Sequence, residues 1–406
     1  MTTSASFHQS LSVPFNYPVH FTHGLFNPKN TTLVRAVDRL KEHRRHRVFV
    51  CLDAGVVRHN PKLKQKIQNY FRHYNAIMEL AGHIEVIGSG EAIKQGLTAA
   101  TRAISWMADC HLDRHSFVMI IGGGSALDAV GLAASLVHRG LRVIRVPTTV
   151  TAQNDVGVGV KTGIDAYGAK NFLGTFAPPF AVLNDLDFLN TLPLRDRIAG
   201  ISEAFKVAVI KDRRFFQYLR RQAPLISKGD TTVIAQAVIR CARLHLDHIR
   251  TGGDPFETGS ARPLDFGHWS AHYLETATNY RLRHGEAVSI GIALDSVIAA
   301  NLNLISHKDA QSLVTALHAC GLPVWHPLLE SKDRKGTLRI LDGLRQFQEH
   351  LGGELTITLP GPIGSKVEIH DIPTCSLLTA ITHLQSLNPQ PPSTINHSPP
   401  HPCLPT

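Results

Sequence analysis

Phe117-Val118-Met119-Ile120-Ile121-Gly122-Gly123-Gly124-Ser125 is the stretch whose reading decides the fold. Its five apolar residues show no polar alternation, which suits a strand buried on both faces, the setting of a parallel sheet. Three glycines end the run, and residues 126–138 follow with helical spacing. Glycine lets backbone approach a phosphate closely, and a helix start offers unpaired N–H groups and a positive dipole end. Ser125 is placed to cap that helix. The turn lacks the GxGxxG of the usual dinucleotide fingerprint. It reads as a pyrophosphate cradle because it follows a buried strand and has Asp128 one turn into the helix. A tight strand-to-helix corner would also explain three glycines.

Working outward, the pattern repeats. Residues 48–52, 83–87 and 141–146 read as short strands, and residues 31–42, 62–81 and 91–108 as helices. Residues 1–30 alternate polar and aromatic side chains, as one or two edge strands would. Alternation of strand and helix predicts a parallel sheet with helices on both faces. Asp53 ends the first strand, where a carboxylate takes ribose hydroxyls or caps a loop. Gly88-Ser89-Gly90-Glu91 with Lys94 is a second loop-to-helix junction, and Glu91 and Lys94 also suit a plain surface pair. Pro147-Thr148-Thr149 leaves the strand of residues 141–146, followed by Asp155 and by Lys161, Lys170 and Asn171 in a Gly-rich segment.

After residue 193 the character changes to helix: 198–211, 232–250, the 265–302 block, 308–319 and 376–387, with a late strand at 355–359. An αβ half followed by a helical half puts a site in the cleft between them. The expected division is a cofactor-binding α/β domain over 1–194, an all-helical metal and substrate domain over 195–387, and a Pro- and Ser-rich disordered tail over 388–406. In the helical half, Asp265-Phe266-Gly267-His268-Trp269-Ser270-Ala271-His272 is followed by Arg283-His284-Gly285-Glu286. His268 and His272 are four apart and share a helix face. Two histidines and one carboxylate with an open position make a usual catalytic zinc set. Glu203 and Lys206, three apart in Ser202-Glu203-Ala204-Phe205-Lys206, read as an ion pair or as a metal-ligand Glu beside a substrate-binding Lys.

Composition sets bounds. The 406 residues, 43% hydrophobic, suffice for two domains with real cores. No apolar run reaches the roughly 18 residues that span a membrane, and residues 1–14 lack a signal-peptide pattern. The six cysteines form no CxxC pair, which fits a reduced cytoplasm and excludes a Cys-rich zinc module. The net charge of +10 is dispersed apart from His43-Arg44-Arg45-His46-Arg47 and the Arg pairs at 213–214 and 220–221. No aromatic-interleaved basic stripe is present, so small anions are favoured over nucleic acid.

Taken together, these motifs resemble the 3-dehydroquinate synthase family of sugar-phosphate cyclases over residues 48–364. The resemblance implies an NAD-binding α/β domain, a helical C-terminal domain, a homodimer, a divalent metal (zinc or cobalt) and a phosphorylated sugar substrate. It implies NAD contacts at Asp53, Glu91, Lys94, Gly122, Gly123, Gly124, Ser125, Asp128, Thr148 and Thr149. Glu203, His268 and His284 match the family's metal ligands. Asp155, Lys161, Lys170, Asn171, Lys206 and His272 match its substrate and catalytic positions, and Arg139 matches an arginine lent to the neighbouring subunit's phosphate site. The implied chemistry is oxidation, phosphate elimination, re-reduction and aldol ring closure.

The sequence departs from the dehydroquinate-forming members. Asp265 stands for their Asn, and Ala261 for an Arg, with Arg262 one place later. Counting back without gaps, Asp247 stands for a Lys, among His245, His248 and Arg250. Gln348-Glu349-His350 replaces a Lys pair ahead of Gly352-Gly353. The absent Arg and Lys are those that hold a substrate carboxylate, so a non-carboxylated substrate such as a heptulose 7-phosphate is expected. Asp265 resembles the valiolone-forming cyclases, which usually lack the second histidine kept here as His272. The 253–257 and 261–272 segments look most like the cyclase-like proteins of bacterial Ebo gene clusters. The rivals are a 3-dehydroquinate synthase proper, an iron- or zinc-dependent polyol dehydrogenase, which shares the GGGSxxD turn, and a non-catalytic binding protein on the same fold.

Overall fold

The computed structural model describes residues 6–256, 263–350 and 353–387. The substitutions noted at Ala261 and Arg262, and the expected disordered tail, lie outside the described residues. The sheet strands are β1 (Val19–Thr22), β2 (His46–Asp53), β3 (Met78–Leu80), β4 (Glu85–Ile87), β5 (Phe117–Gly122) and β6 (Arg142–Pro147). β7 (Lys161–Ala166) and β8 (Ala169–Phe176) form a separate antiparallel hairpin, and β9 (Ala181–Asp185) returns to the sheet. The seven-stranded sheet has the order β1-β9-β6-β5-β2-β3, with β4 also on β2, and every pairing is parallel.

All six residues of β5 are buried. Its side chains alternate between two cores, as a period of two requires. Phe117, Met119 and Ile121 join Val48, Val50 and Leu52 on one face, whereas Val118 and Ile120 join Phe49 and Cys51 on the other. Helix Leu63–His73 covers the first face, and helices Thr98–Asp109 and Gly124–Leu136 cover the second. From β2 the chain goes outward to β3 and β4, then crosses to β5 on the other side. That reversal places a ligand crevice beyond the carboxyl ends of β2 and β5, at Asp53 and Gly122.

Several elements are shorter than the spacing predicts. The first helix is Thr32–Val37, ending where Asp38 accepts from Lys41, itself in the left-handed region. The expected helix over 62–81 stops at His73, because Met78 to Leu80 pair with β2 instead. The one over 91–108 breaks at Gly96 (φ +68°) into a 3-10 turn, Glu91–Lys94, and helix Thr98–Asp109. The β7–β8 hairpin was not expected at all. One face of β8 is exposed, so it shows no buried apolar run.

The helical half is built around His284–Asn301, buried on nearly all sides from Ala287 to Ala300. A helix apolar all round belongs in a core. Each fully buried Leu or Ile in it contributes about 1.5–3 kcal/mol. Packed near it are Ile201–Lys211, His268–Ala277, His307–Ala319 and Thr374–Ser386, while Thr231–Thr251 lies against Ile201–Lys211. This half also carries a short antiparallel pair, β10 (Ile357–Pro360) and β11 (Lys366–Ile369). The glycines on and beside the histidine helices have packing reasons. A Cβ on Gly291 would lie 1.9 Å from the Gly267 carbonyl oxygen, and one on Gly285 2.0 Å from that of Ala199. Gly267 has φ +80°, a turn that L residues rarely make, and it delivers His268 to the first position of its helix.

Candidate active site

Glu203, His268 and His284 come from three different helices and converge. One ligand atom of each lies within 4.8 Å of the others. His284 Nε2 is 3.2 Å and His268 Nε2 3.8 Å from Glu203 Oε1. The other ring nitrogens are occupied: His268 Nδ1 is 3.1 Å from the Phe266 carbonyl oxygen and His284 Nδ1 3.2 Å from Glu275 Oε2. An acceptor on Nδ1 orients an imidazole and leaves Nε2 as the ligand atom. Two imidazoles and a carboxylate arranged so fit a divalent ion such as zinc. Burial, reinforced by the charge of Lys206, holds His268 below its ordinary pKa, so it is neutral. Burial opposes charge on His284 too, but Glu275 and Glu203 outweigh it and raise its pKa to about 10. Glu203 is fully buried, yet Lys206 holds its carboxyl down at about 2.

Around the trio the charges alternate. Lys206 Nζ lies 2.6 Å from Glu203 Oε2 and 3.9 Å from Asp155 Oδ1. Asp155 Oδ1 in turn lies 2.7 Å from His245 Nδ1. Burial opposes the charges of Lys206 and Asp155, but each favours the other's ionised form. Asp155 sits in a π-helical turn, Ala152–Val156, a form common at functional sites. Arg145, fully buried, braces that loop by donating to the carbonyl oxygens of Gly159 (2.7 Å) and Lys161 (3.0 Å). The His272 ring lies 5.5 Å from that of His268 and 6.5 Å from that of His284. Burial first, then the charge of Lys170, keeps His272 neutral. Lys170 Nζ is 2.8 Å from Glu275 Oε1.

On the sheet side, the expected cofactor residues bond to one another. Asp53 Oδ1 accepts from Gly55 N at 2.6 Å and so caps the helix after β2. Ser125 does not cap its helix. Gly123 is the N-cap, no side chain caps it, and Ser125 Oγ donates to Glu91 Oε1 at 2.9 Å. Glu91 and Lys94 are not a surface pair. Lys94 is buried and donates to Asp128 Oδ2 (2.8 Å) and Asn171 Oδ1 (2.6 Å). A Cβ on Gly122 would lie 2.7 Å from Asp53 Cβ and 2.9 Å from Ala126 Cβ, so this glycine brings Asp53 against the helix start. Thr149 Oγ1 accepts from Ala152 N. Thr148 Oγ1 is buried with no hydrogen-bond partner among the described residues. An uncapped helix start, a waiting hydroxyl and a carboxylate at the sheet's reversal point together fit a dinucleotide.

Arg139 is not brought to this cluster. It is exposed, left-handed (φ +66°) and at a loop tip. Lys161 is exposed at the start of β7. Asn171, also left-handed, joins Lys94. Asp247 is half-buried, 3.1 Å from Arg250, while His245, two residues earlier, lies 2.7 Å from Asp155. Glu349 is exposed. Sequence reasoning also passed over Glu275. Its signal was its place seven after His268 and three after His272, a carboxylate on the buried face of the histidine helix.

Residues 84–199 match the family model for the N-terminal part of 3-dehydroquinate synthase, and residues 200–341 that for its C-terminal part. A 3-dehydroquinate synthase of Ruegeria sp. (strain TM1040) is 36% identical over 306 residues, 73% of this chain and 80% of the relative. A 2-epi-5-epi-valiolone synthase of Streptomyces glaucescens is 33% identical over 374 residues, 91% of each chain. A solved 2-epi-5-epi-valiolone synthase from Streptomyces hygroscopicus subsp. jinggangensis 5008, with NAD+ and Zn2+ bound, superposes with a TM-score of 0.83 at 27% identity, covering 94% of this chain and 100% of that one. Among the described residues, no helix is long and apolar enough to cross a membrane.

Proposed function

This chain belongs to the 3-dehydroquinate synthase family of sugar-phosphate cyclases, and from that premise we propose that it is an NAD- and metal-dependent carbon–oxygen lyase that closes a non-carboxylated sugar phosphate into a carbocycle. The observation that carries this reading is the convergence of Glu203, His268 and His284 beside buried Lys206 and Asp155. Glu203, His268 and His284 would hold zinc or cobalt. Asp53, Glu91, Lys94, Asp128, Thr148, Thr149, Ser125 and the Gly122–Gly124 turn would hold NAD. When bound, the metal supplies Lewis-acid polarisation of substrate oxygens and NAD a transient acceptor for hydride.

The remaining work falls to side chains. Lys206 and Lys161 supply positive charge where oxygens become negative, and so does Arg139 of the partner subunit. His272, neutral and half-buried beside the metal-competent histidines, accepts and returns a proton. Asp155, Asn171 and Lys170 position substrate and hold the hairpin against the cleft. The sum conserves the cofactor: one C–O bond to phosphate breaks, one ring C–C bond forms, and the hydride returns. The choice of a non-carboxylated substrate is supported by Asp265 ahead of the histidines and by Ala261 and Asp247 at the positions counted for the Arg and Lys that hold a carboxylate. The domain division at residue 194, a homodimer and a cytoplasmic setting belong to the same reading.

The rival with a specific motif behind it is a polyol dehydrogenase, and the fate of NADH separates the two. Metal-loaded protein given NAD and a heptulose 7-phosphate should release inorganic phosphate with no net NADH. Steady accumulation of NADH without phosphate release would make it a dehydrogenase.

A further inference from the structure

The two metal-competent histidines are held in different ways. His268 Nδ1 faces a backbone carbonyl two residues away, at Phe266, so its orientation is local. His284 Nδ1 faces a side chain, Glu275, from another helix. Glu275 is 1% exposed, and both its oxygens are used. Oε2 lies 3.2 Å from His284 Nδ1, and Oε1 accepts from Lys170 Nζ at 2.8 Å. Lys170 belongs to β8, and its neighbour Asn171 accepts from Lys94 beside the Gly-rich turn. A carboxylate this deep is costly unless paired, and an apolar side chain would fill the same helix position. Its retention there is explained by what it joins: the hairpin of the sheet half and the first residue of the central helix.

We propose that Glu275 is a positioning residue that fixes the His284 ring toward Glu203 and thereby links a divalent cation at Glu203, His268 and His284 to Lys170 on the hairpin. This rests on the metal part of the proposed function and is independent of the substrate. Carboxylates behind ligand histidines orient the ring and raise its basicity. Here the same carboxylate is shared with a lysine across the cleft, so cation and hairpin act on one group.

The test is Zn2+ and Co2+ affinity of the full-length apoprotein, measured by titration without substrate, for wild type, Glu275→Gln, Lys170→Met and the double variant. Circular dichroism serves as the fold control. Glu275→Gln is expected to weaken binding by about 10–100-fold and to change the visible Co2+ spectrum. Lys170→Met should shift affinity in the wild-type background and leave it unchanged in the Glu275→Gln background. Unchanged affinity in Glu275→Gln, or a Lys170→Met effect equal in both backgrounds, overturns the proposal. Should Glu275→Gln not fold, Lys170→Met alone decides, since an unaltered Co2+ spectrum and affinity would refute the link. Cation binding with this dependence but no phosphate release would leave the inference standing and the cyclase reading lost.

Discussion

The two walls of the cleft are built on different principles. On the helical side the candidate site is made of side chains: Glu203, His268 and His284 point at one another from three helices, with Lys206 and Glu275 around them and Asp155 reaching Lys206 from the sheet half. On the sheet side it is made of backbone. The uncapped start of helix Gly124–Leu136 lies at the crevice, and the polar side chains there satisfy each other, Lys94 with Asp128 and Ser125 with Glu91. A side-chain site concentrates its function in a few atoms that the fold can spare. A backbone site spreads function into the packing, where changing a residue damages the fold first.

The largest test of that contrast is His268→Ala. It should abolish metal binding and turnover while the apoprotein keeps its circular dichroism; unchanged activity would sink the site assignment. On the opposite wall, Lys94→Met strands a buried Asp128 and should cost about 3–5 kcal/mol in chemical denaturation. A variant that lost NAD affinity at full stability would break the contrast. Gly122→Ala sharpens it. The new methyl meets Asp53 and Ala126 at under 3 Å, so a stability loss of about 1–3 kcal/mol is expected, with weaker NAD binding alongside.

The remaining test concerns pH. Asp295 accepts from Trp269 Nε1 (2.8 Å) and Gly267 N (2.9 Å), and burial pushes its pKa from 3.8 to about 7 against those bonds. The folded state thus holds the proton more tightly than the unfolded chain. The resulting stability is present below pH 3.8 and is lost as pH rises to about 7. Asp295→Asn should flatten that part of the denaturation profile relative to wild type, and parallel profiles would contradict it.

What the sequence revealed follows the same division. β2 and β5 were readable because strands buried on both faces are continuous apolar runs. The β7–β8 hairpin was not, because the outer face of β8 is solvent-exposed and leaves no buried apolar run to read. The helix over 62–81 was drawn too long because helical spacing continues through residues that β2 recruits. Residue type and spacing raised Glu203, His268, His272 and His284 as candidates, and the family resemblance singled out Glu203, His268 and His284 as ligands. The roles of Glu275 and His245 depend on which helices meet, and no single-element pattern carries that. Ser125 followed the local rule for a cap and was overridden by Glu91, a neighbour brought close only by folding.

The most direct test of the central claim is inorganic phosphate release by zinc- or cobalt-loaded protein with NAD. Sedoheptulose 7-phosphate and the seven-carbon carboxylated precursor of the shikimate pathway would be run in parallel. Release from sedoheptulose 7-phosphate alone, without net NADH, is the predicted result. Release from the carboxylated precursor alone would make the protein a 3-dehydroquinate synthase and contradict the reading of Asp265 and of the absent Arg and Lys.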